Sequence, residues 1–172
     1  MVTRLRSFAQ GCRVGWSTVV DATVRMASGV AIRDECIERY DELQSQTKGH
    51  RAIIFRIEMQ KEIVVDDVIT KVEGAGPETM EQEWDNFCSK FPDKDCRYAV
   101  FDFEYDLGDD GVRRKIIFMA WADDDAKVRP KMLYASSKDA FRKCLSGVGI
   151  EMQCTDRGGL SVSEAIKKVK GE

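Results

Sequence analysis

The sequence predicts an α/β protein of the α+β type, with a central mixed sheet of about five strands flanked by helices on both faces. Three observations carry that prediction. The run 115–121, KIIFMAW, is nearly all apolar, as in a strand covered on both sides. It is followed by an acidic turn, a long amphipathic helix and a short strand, and such a crossover sets its two strands parallel. Elsewhere, runs rich in Ile, Val and aromatic residues are separated by short turn signals, which reads as antiparallel hairpins. At 172 residues the chain has the length of one domain with a full core.

The elements follow in order. Residues 34–46 predict a helix, with Cys36, Ile37, Tyr40 and Leu43 on one side. Gly49 and His50 end it, and the lone His50 sits at a loop edge without a partner for acid–base work. Residues 51–58 and 62–65 predict two hairpin strands. Gly74, Gly76 and Pro77 mark a loop. Residues 78–90 predict a second helix burying Met80, Trp84, Phe87 and Cys88, with Phe91-Pro92 as its stop. Residues 96–105 predict a strand whose Asp102 and Glu104 mark where it leaves the core. A turn at 108–111, GDDG, leads into a strand at 112–121. Asp123, Asp124 and Asp125 supply candidate caps for the long helix, and Pro130 belongs in its first turn. Gly147 and Gly149 stop it. Residues 150–154 predict a short strand. Ser161-x-x-Glu164 is a capping-box pattern opening a last helix through Val169.

The long helix has faces of different chemistry. At 100° per residue, Leu133, Ala140 and Cys144 fall within about 20° of one another, and Phe141, Tyr134 and Leu145 widen this core stripe to about 120°. Lys131, Lys138 and Arg142 form a basic ridge beside it. The remaining arc holds Met132, Ala135, Ser136 and Asp139. Periodicity alone allows a solvated face there; an exposed Met flanked by cations also suits a docking face.

Composition excludes several classes. No apolar run approaches the length of a membrane span. Residues 1–25 carry four Arg and one Asp, so of the total charge of −3 they hold +3 and residues 26–172 hold −6. An acidic domain argues against bulk nucleic-acid binding. The six Cys lack paired spacing and are accompanied by one His, which argues against a zinc site. Scattered Cys without a secretory signal suit a reducing cytosol. No nucleophile–base pair or phosphate-binding glycine loop is present, and three consecutive Asp rarely converge on one ion, so neither catalysis nor a metal or other cofactor is expected.

Residues 129–145, RPKMLYASSKDAFRKCL, together with 95–106, DCRYAVFDFEYD, and 115–132, KIIFMAWADDDAKVRPKM, resemble the actin-depolymerising factor/cofilin family. The family's Tyr-Ala-Ser-Ser-Lys-Asp-Ala core stands unchanged at 134–140, and MASGVAIRDECIERYDEL at 26–43 is similar to the family's N-terminus. The resemblance spans about 26–170 and implies the ADF-homology, gelsolin-like fold over 26–172. Residues 1–25 are then expected to be a disordered extension or an upstream start, with Met26 as initiator, although their composition also matches mitochondrial presequences.

The resemblance further implies binding to G-actin and F-actin by a monomeric cytoplasmic protein of the actin cytoskeleton, with passive nuclear presence. The actin-monomer contact maps to Ser28, Arg129, Lys131, Met132, Ser136 and Asp139. The filament contact maps to Arg113, Lys115, Lys167 and Lys168. An overlapping phosphoinositide contact maps to Lys127, Arg129, Lys131, Lys138 and Arg142, with Lys143 beside them. Ser28 matches the family's phosphorylation switch. From the residues alone, Arg113, Arg114 and Lys115 read equally as a solvated strand end. The last helix departs from the family where many members carry an acid and then a base: it has Lys167-Lys168. An alternative reading follows, a monomer-sequestering or phosphoinositide-responsive regulator with weak severing.

Overall fold

The computed structural model describes residues 24–25, 29–72, 77–106 and 111–171. Ser28, the glycines of the loop at 74–76, residues 108–110 of the hairpin turn and nearly all of the N-terminal extension lie outside them.

Seven strands form one mixed sheet in the order β1-β2-β4-β3-β5-β6-β7. The five expected strands are its long members: β3 (His50–Glu58), β4 (Glu62–Thr70), β5 (Cys96–Asp106), β6 (Val112–Ala122) and β7 (Val148–Cys154). Two-residue strands β1 (Val24–Arg25) and β2 (Ala31–Ile32) extend one edge, with Val24 opposite Ile32. Pairs β2·β4 and β6·β7 are parallel and the others antiparallel. The parallel β6·β7 pair is the one the crossover through the long helix predicts.

Period-two alternation divides β6 between two cores. Ile116, Phe118 and Ala120 face helices α1 (Asp34–Ser45) and α3 (Val128–Cys144). Ile117, Met119 and Trp121 face α2 (Pro77–Ser89) and α4 (Val162–Lys170). The strand is therefore covered on both sides, as its sequence requires. Trp84 of α2 is fully buried and its Nε1 donates to the Leu160 carbonyl at 2.7 Å. Ser161 caps α4 by accepting from the Glu164 amide at 3.3 Å. Gly147, at φ +79, takes the left-handed conformation that turns the chain out of α3 toward β7.

Several local expectations are corrected. The β4 strand runs on through Asp66 and Asp67, because Arg56, Arg97 and Lys90 pair with those acids. Asp102 does not mark an exit from the core but is fully buried. His50 is buried as well, with Nε2 3.1 Å from Glu42. The acidic turn does not cap α3: Lys127 occupies the N-cap without a side-chain bond, and the Asp123 carboxylate instead accepts from the Asp125 amide at 2.8 Å. The buried line of α3 is Tyr134, Ser137 and Phe141, while Leu133, Ala140 and Cys144 are half-buried. The tyrosine hydroxyl accounts for part of this seating, since it accepts from the Ile57 amide at 2.7 Å. The five described Cys are all free thiols.

Candidate functional site

Helix α3 is held on its inner side by aromatic packing. Phe141 lies edge-on to Phe55 at 5.1 Å, and Tyr98 sits 4.8 Å from the Tyr134 ring while its hydroxyl donates to the Tyr134 carbonyl at 2.5 Å. Burial pushes both hydroxyls upward in pKa, that of Tyr134 to about 12, so both stay neutral, Tyr98 as a donor and Tyr134 as the acceptor of the Ile57 amide. A helix fixed in this way presents its opposite side with little freedom to rotate.

That outward arc carries Arg129, Met132, Ala135, Ser136, Asp139 and Lys143, all exposed. Met132 is 67% exposed on a helix whose other large apolar groups mostly turn inward. Ser136 bonds back to the Leu133 carbonyl at 3.0 Å, which folds its hydroxyl onto the helix and leaves a flat small-residue surface. Arg129 and Lys127 are exposed and have no ion-pair partner among the described residues.

The structure brings Arg129, Met132, Ser136 and Asp139 onto one face. Lys131 lies about 160° around the helix from Arg129, at 100° per residue. Its ammonium donates to the Asp124 carbonyl at 2.9 Å and fastens the acidic turn to the helix. Lys138 pairs with Glu151 of β7 at 2.6 Å, and Arg142 donates to the Val148 carbonyl at 3.0 Å. The five residues of the anticipated lipid contact are thus divided. Lys127 and Arg129 are unpaired and outward, whereas Lys131, Lys138 and Arg142 are half-buried against the β7 side.

A groove borders α3 on each side. One, of about 250 Å³, runs along Lys131, Ala135 and Lys138 against Trp121 and Gln153. The other, of about 290 Å³, separates Pro130, Leu133 and Tyr134 from the β3–β4 turn. Tyr134 lines both, so the outward arc is a ridge between two depressions.

A second cationic group gathers at the far end of the sheet. Arg113 is exposed, with no ion-pair partner among the described residues. Lys115 donates to the Val169 carbonyl at 2.6 Å and lies 5.7 Å from the Tyr105 ring centroid. This bond joins the base of β6 to the last turn of α4, where Lys167 and Lys168 are exposed. Lys115 is thus tied to the turn of α4 that carries Lys168 and Lys167, the latter paired with Glu164 at 2.8 Å.

The solvated strand end expected at 113–115 is corrected at its middle residue. Arg114 turns to the opposite face, where its guanidinium pairs with Asp102 and donates to the Leu43 and Gln44 carbonyls at 3.0 Å each. Asp102 also accepts from Gln46 at 2.8 Å and pairs with Lys71 at 3.2 Å. Beside it, Arg51 pairs with Glu83 at 2.7 Å and donates to the Asp102 carbonyl at 2.9 Å. The strand alternation of 113–115 was the signal that could have separated Arg114 from its neighbours.

The described residues contain no group of three side chains suited to a metal ion, and no helix among them is long and apolar enough to cross a membrane. What this geometry defines is a mixed sheet between two helical layers that exposes one anchored helix and a remote cationic edge, a surface for engaging protein. The family model for cofilin/tropomyosin-type actin-binding protein matches residues 29–170, and the chain belongs to that family. It is 40% identical over 144 residues to a cofilin of Mycosarcoma maydis, covering 84% of this chain and 96% of the relative. It is 41% identical over 145 residues to actin-depolymerizing factor 4 of Oryza sativa subsp. japonica, covering 84% and 97%. The crystal structure of Streptomyces griseoflavus cofilin is similar at a TM-score of 0.70 and 36% identity, covering 84% of this chain and all of that one. Family membership makes the chain an actin-binding protein and not an enzyme.

Proposed function

We propose that the chain binds both monomeric and filamentous actin and promotes filament severing and depolymerisation. The observation that carries this reading is the outward arc of α3, where Arg129, Met132, Ser136 and Asp139 share one exposed face of a helix fixed from behind. Arg129 steers toward acidic actin surface, Met132 fills an apolar cleft, and Ser136 lets the helix approach closely. Lys131 holds the turn before the helix and flanks the contact. Residues 26–172 form the actin-binding domain, with 1–25 as an extension outside it.

The second contact, to the neighbouring filament subunit, uses Arg113, Lys115, Lys167 and Lys168. The Lys115–Val169 bond supports it, because it holds the β6 base and the end of α4 as one surface. A protein bridging two subunits binds best to the filament twist that suits both contacts, and its differential affinity shifts the filament toward that twist. Strain at boundaries between occupied and bare filament then promotes breakage. A phosphate on Ser28 would add about −1.5 to −2 charge beside the monomer contact and oppose docking. Phosphoinositide headgroups would compete through the unpaired Lys127 and Arg129, with Lys131, Lys138 and Arg142 recruited only by breaking their present bonds. The protein acts as a monomer in the cytoplasm, on the actin cytoskeleton, with passive nuclear presence.

The test is a pair of charge reversals in the full chain. Arg129→Glu with Lys131→Glu abolishes binding to labelled actin monomer. Arg113→Glu with Lys168→Glu spares monomer binding and reduces filament co-sedimentation and shortening; both side chains are exposed, so the fold is retained. Monomer affinity unmoved by the first pair refutes the assignment of α3. Monomer and filament binding without any shortening by the unaltered chain would instead identify a sequestering protein.

A further inference from the structure

The β3–β4 turn departs from the residues its backbone demands. Lys61 closes it by donating to the Glu58 carbonyl at 2.9 Å, and the two central residues, Met59 and Gln60, stand at φ +48 and +60. Tight turns with both central residues in the left-handed region favour Asn-Gly, and long unbranched side chains rarely occupy them. The turn is nonetheless well anchored. The Lys61 carbonyl accepts from the Ala31 amide at 2.7 Å, and Arg33 clamps Glu58 and Glu62 at 3.5 and 2.7 Å.

The residue held in this unfavourable backbone is Met59, the most exposed large apolar side chain among the described residues at 84%. At that exposure it contributes little to either core. It stands instead across the groove of about 290 Å³ whose far wall is Pro130, Leu133 and Tyr134 of α3. Leu133 is about 40° around the helix from Arg129 and 60° from Ser136, so this groove borders the outward arc directly. Its polar rim is internally neutralised: Arg97 pairs with Asp95 at 2.7 Å and with Asp66 at 2.8 Å, and Arg56 pairs with Asp66 at 3.2 Å. An apolar projection, a shaped groove and a rim of ion-paired charges are the parts of a protein contact. A local rule broken at an exposed and otherwise rigid site points to function rather than to folding.

We infer that Met59 is a further actin-contact residue. The actin subunit seated on α3 also spans the groove and rests apolar surface against the tip of the β3–β4 turn. This rests on the assignment of α3 as the monomer contact. The occupant follows from continuity, because one wall of the groove is α3 itself, so a body covering Arg129, Met132 and Ser136 reaches the turn without a second interface. Met132 and Met59 then anchor the subunit from the ridge and from its flank, with adaptable side chains at both points.

The test is Met59→Asn with Gln60→Gly in the full chain, which gives the turn its preferred residues and removes the apolar tip. Thermal midpoint holds or rises, while affinity for labelled actin monomer falls about tenfold, as for loss of an interface anchor. Met59→Gln, which keeps side-chain length and leaves Gln60 in place, gives a loss in the same direction and decides the matter should the double variant fold poorly. Unchanged monomer affinity in both variants, with Arg129→Glu and Lys131→Glu still abolishing binding, overturns the inference and leaves the α3 contact standing. Failure of the charge reversals to matter removes the α3 contact and the inference together. Sedimentation velocity of the chain alone covers the remaining occupant: self-association abolished by the turn variant, with actin affinity unmoved, would assign Met59 to a second copy of the chain and overturn the actin contact.

Discussion

Replacing Asp102 with Asn tests whether the buried polar network holds the filament-side edge in place. Asp102 is 0% exposed, and Arg114, Gln46 and Lys71 converge on its carboxylate from β6, from the end of α1 and from just beyond β4. Removing one partner of a buried ion pair costs about 3–5 kcal/mol, because the charge left behind is uncompensated. Two features place this case at the lower end. The Arg114 side chain is 33% exposed and can turn toward water, and Lys71 retains Glu104 at 2.5 Å. The amide also keeps acceptor capacity for Gln46. The expected loss is therefore about 3 kcal/mol, which for a chain of this size corresponds to a fall in Tm of about 6–12 °C. Urea denaturation should show the same change in midpoint at constant slope. Arg114→Ala should cost a similar amount by exposing the opposite half of the pair, and the double variant should cost less than the sum. Filament co-sedimentation should weaken in both variants while monomer binding holds, since the network lies under Arg113 and Lys115 and away from α3. A stability loss under 1 kcal/mol, or additive single effects, would refute the view that these groups act as one unit.

Three further outcomes follow from the same geometry. Hydrogen bonding from Lys48, with His50 and Arg39 assisting, lowers the Glu42 pKa from 4.5 to about 2. A depressed carboxylate pKa contributes stability that is fully present above its unfolded value and is lost as pH falls through the folded one. Glu42→Gln should therefore flatten the stability profile between about pH 4.5 and 2 in acid titration followed by circular dichroism. Tyr134→Phe removes the acceptor of the Ile57 amide and should cost about 1–3 kcal/mol, read by thermal denaturation, with a smaller loss of monomer affinity as α3 loosens. Ser161→Ala should cost about 1 kcal/mol through the lost cap of α4, with filament co-sedimentation falling more than monomer binding.

Strand and helix identity was legible wherever one period governed a whole segment. The run from Ile116 to Trp121 could only be covered on both faces, and the apolar sides of α1 and α2 were readable because Tyr40, Leu43, Trp84 and Phe87 recur at helical spacing. What periodicity missed was set by distant partners. Tyr134 and Phe141 were read at the side of a stripe centred on Leu133, Ala140 and Cys144, and Ser137 was not read into it, yet α3 turns Tyr134, Ser137 and Phe141 furthest inward because Ile57 and the aromatic cluster accept that line. Asp66 and Asp67 resemble turn residues until Arg97, Arg56 and Lys90 are brought across from other elements. Asp102 looks like a strand end until cations from separate elements surround it. The outward arc of α3 was legible because one helix carries it whole. Met59 was not, since its significance depends on backbone conformation and on a groove shared with residues more than 70 positions later.

The alternation of 113–115 lets one short segment carry both the proposed filament contact and a structural tie. Arg113 and Lys115 belong to the α2–α4 side, while Arg114 between them reaches the end of α1 on the other side. Charge at the edge of the sheet is then available to a partner without the edge becoming free to splay, because every second side chain is committed inward. A design with three outward cations would have lost the bonds to the Leu43 and Gln44 carbonyls, and Asp102 could not have been buried without its guanidinium partner. The Lys115 bond to α4 closes the same edge from the opposite face. The proposed filament contact and the structural tie therefore differ by one residue in register. A one-residue shift of β6 against β5 would exchange them, carrying Arg114 to the exterior and its two neighbours beneath α1.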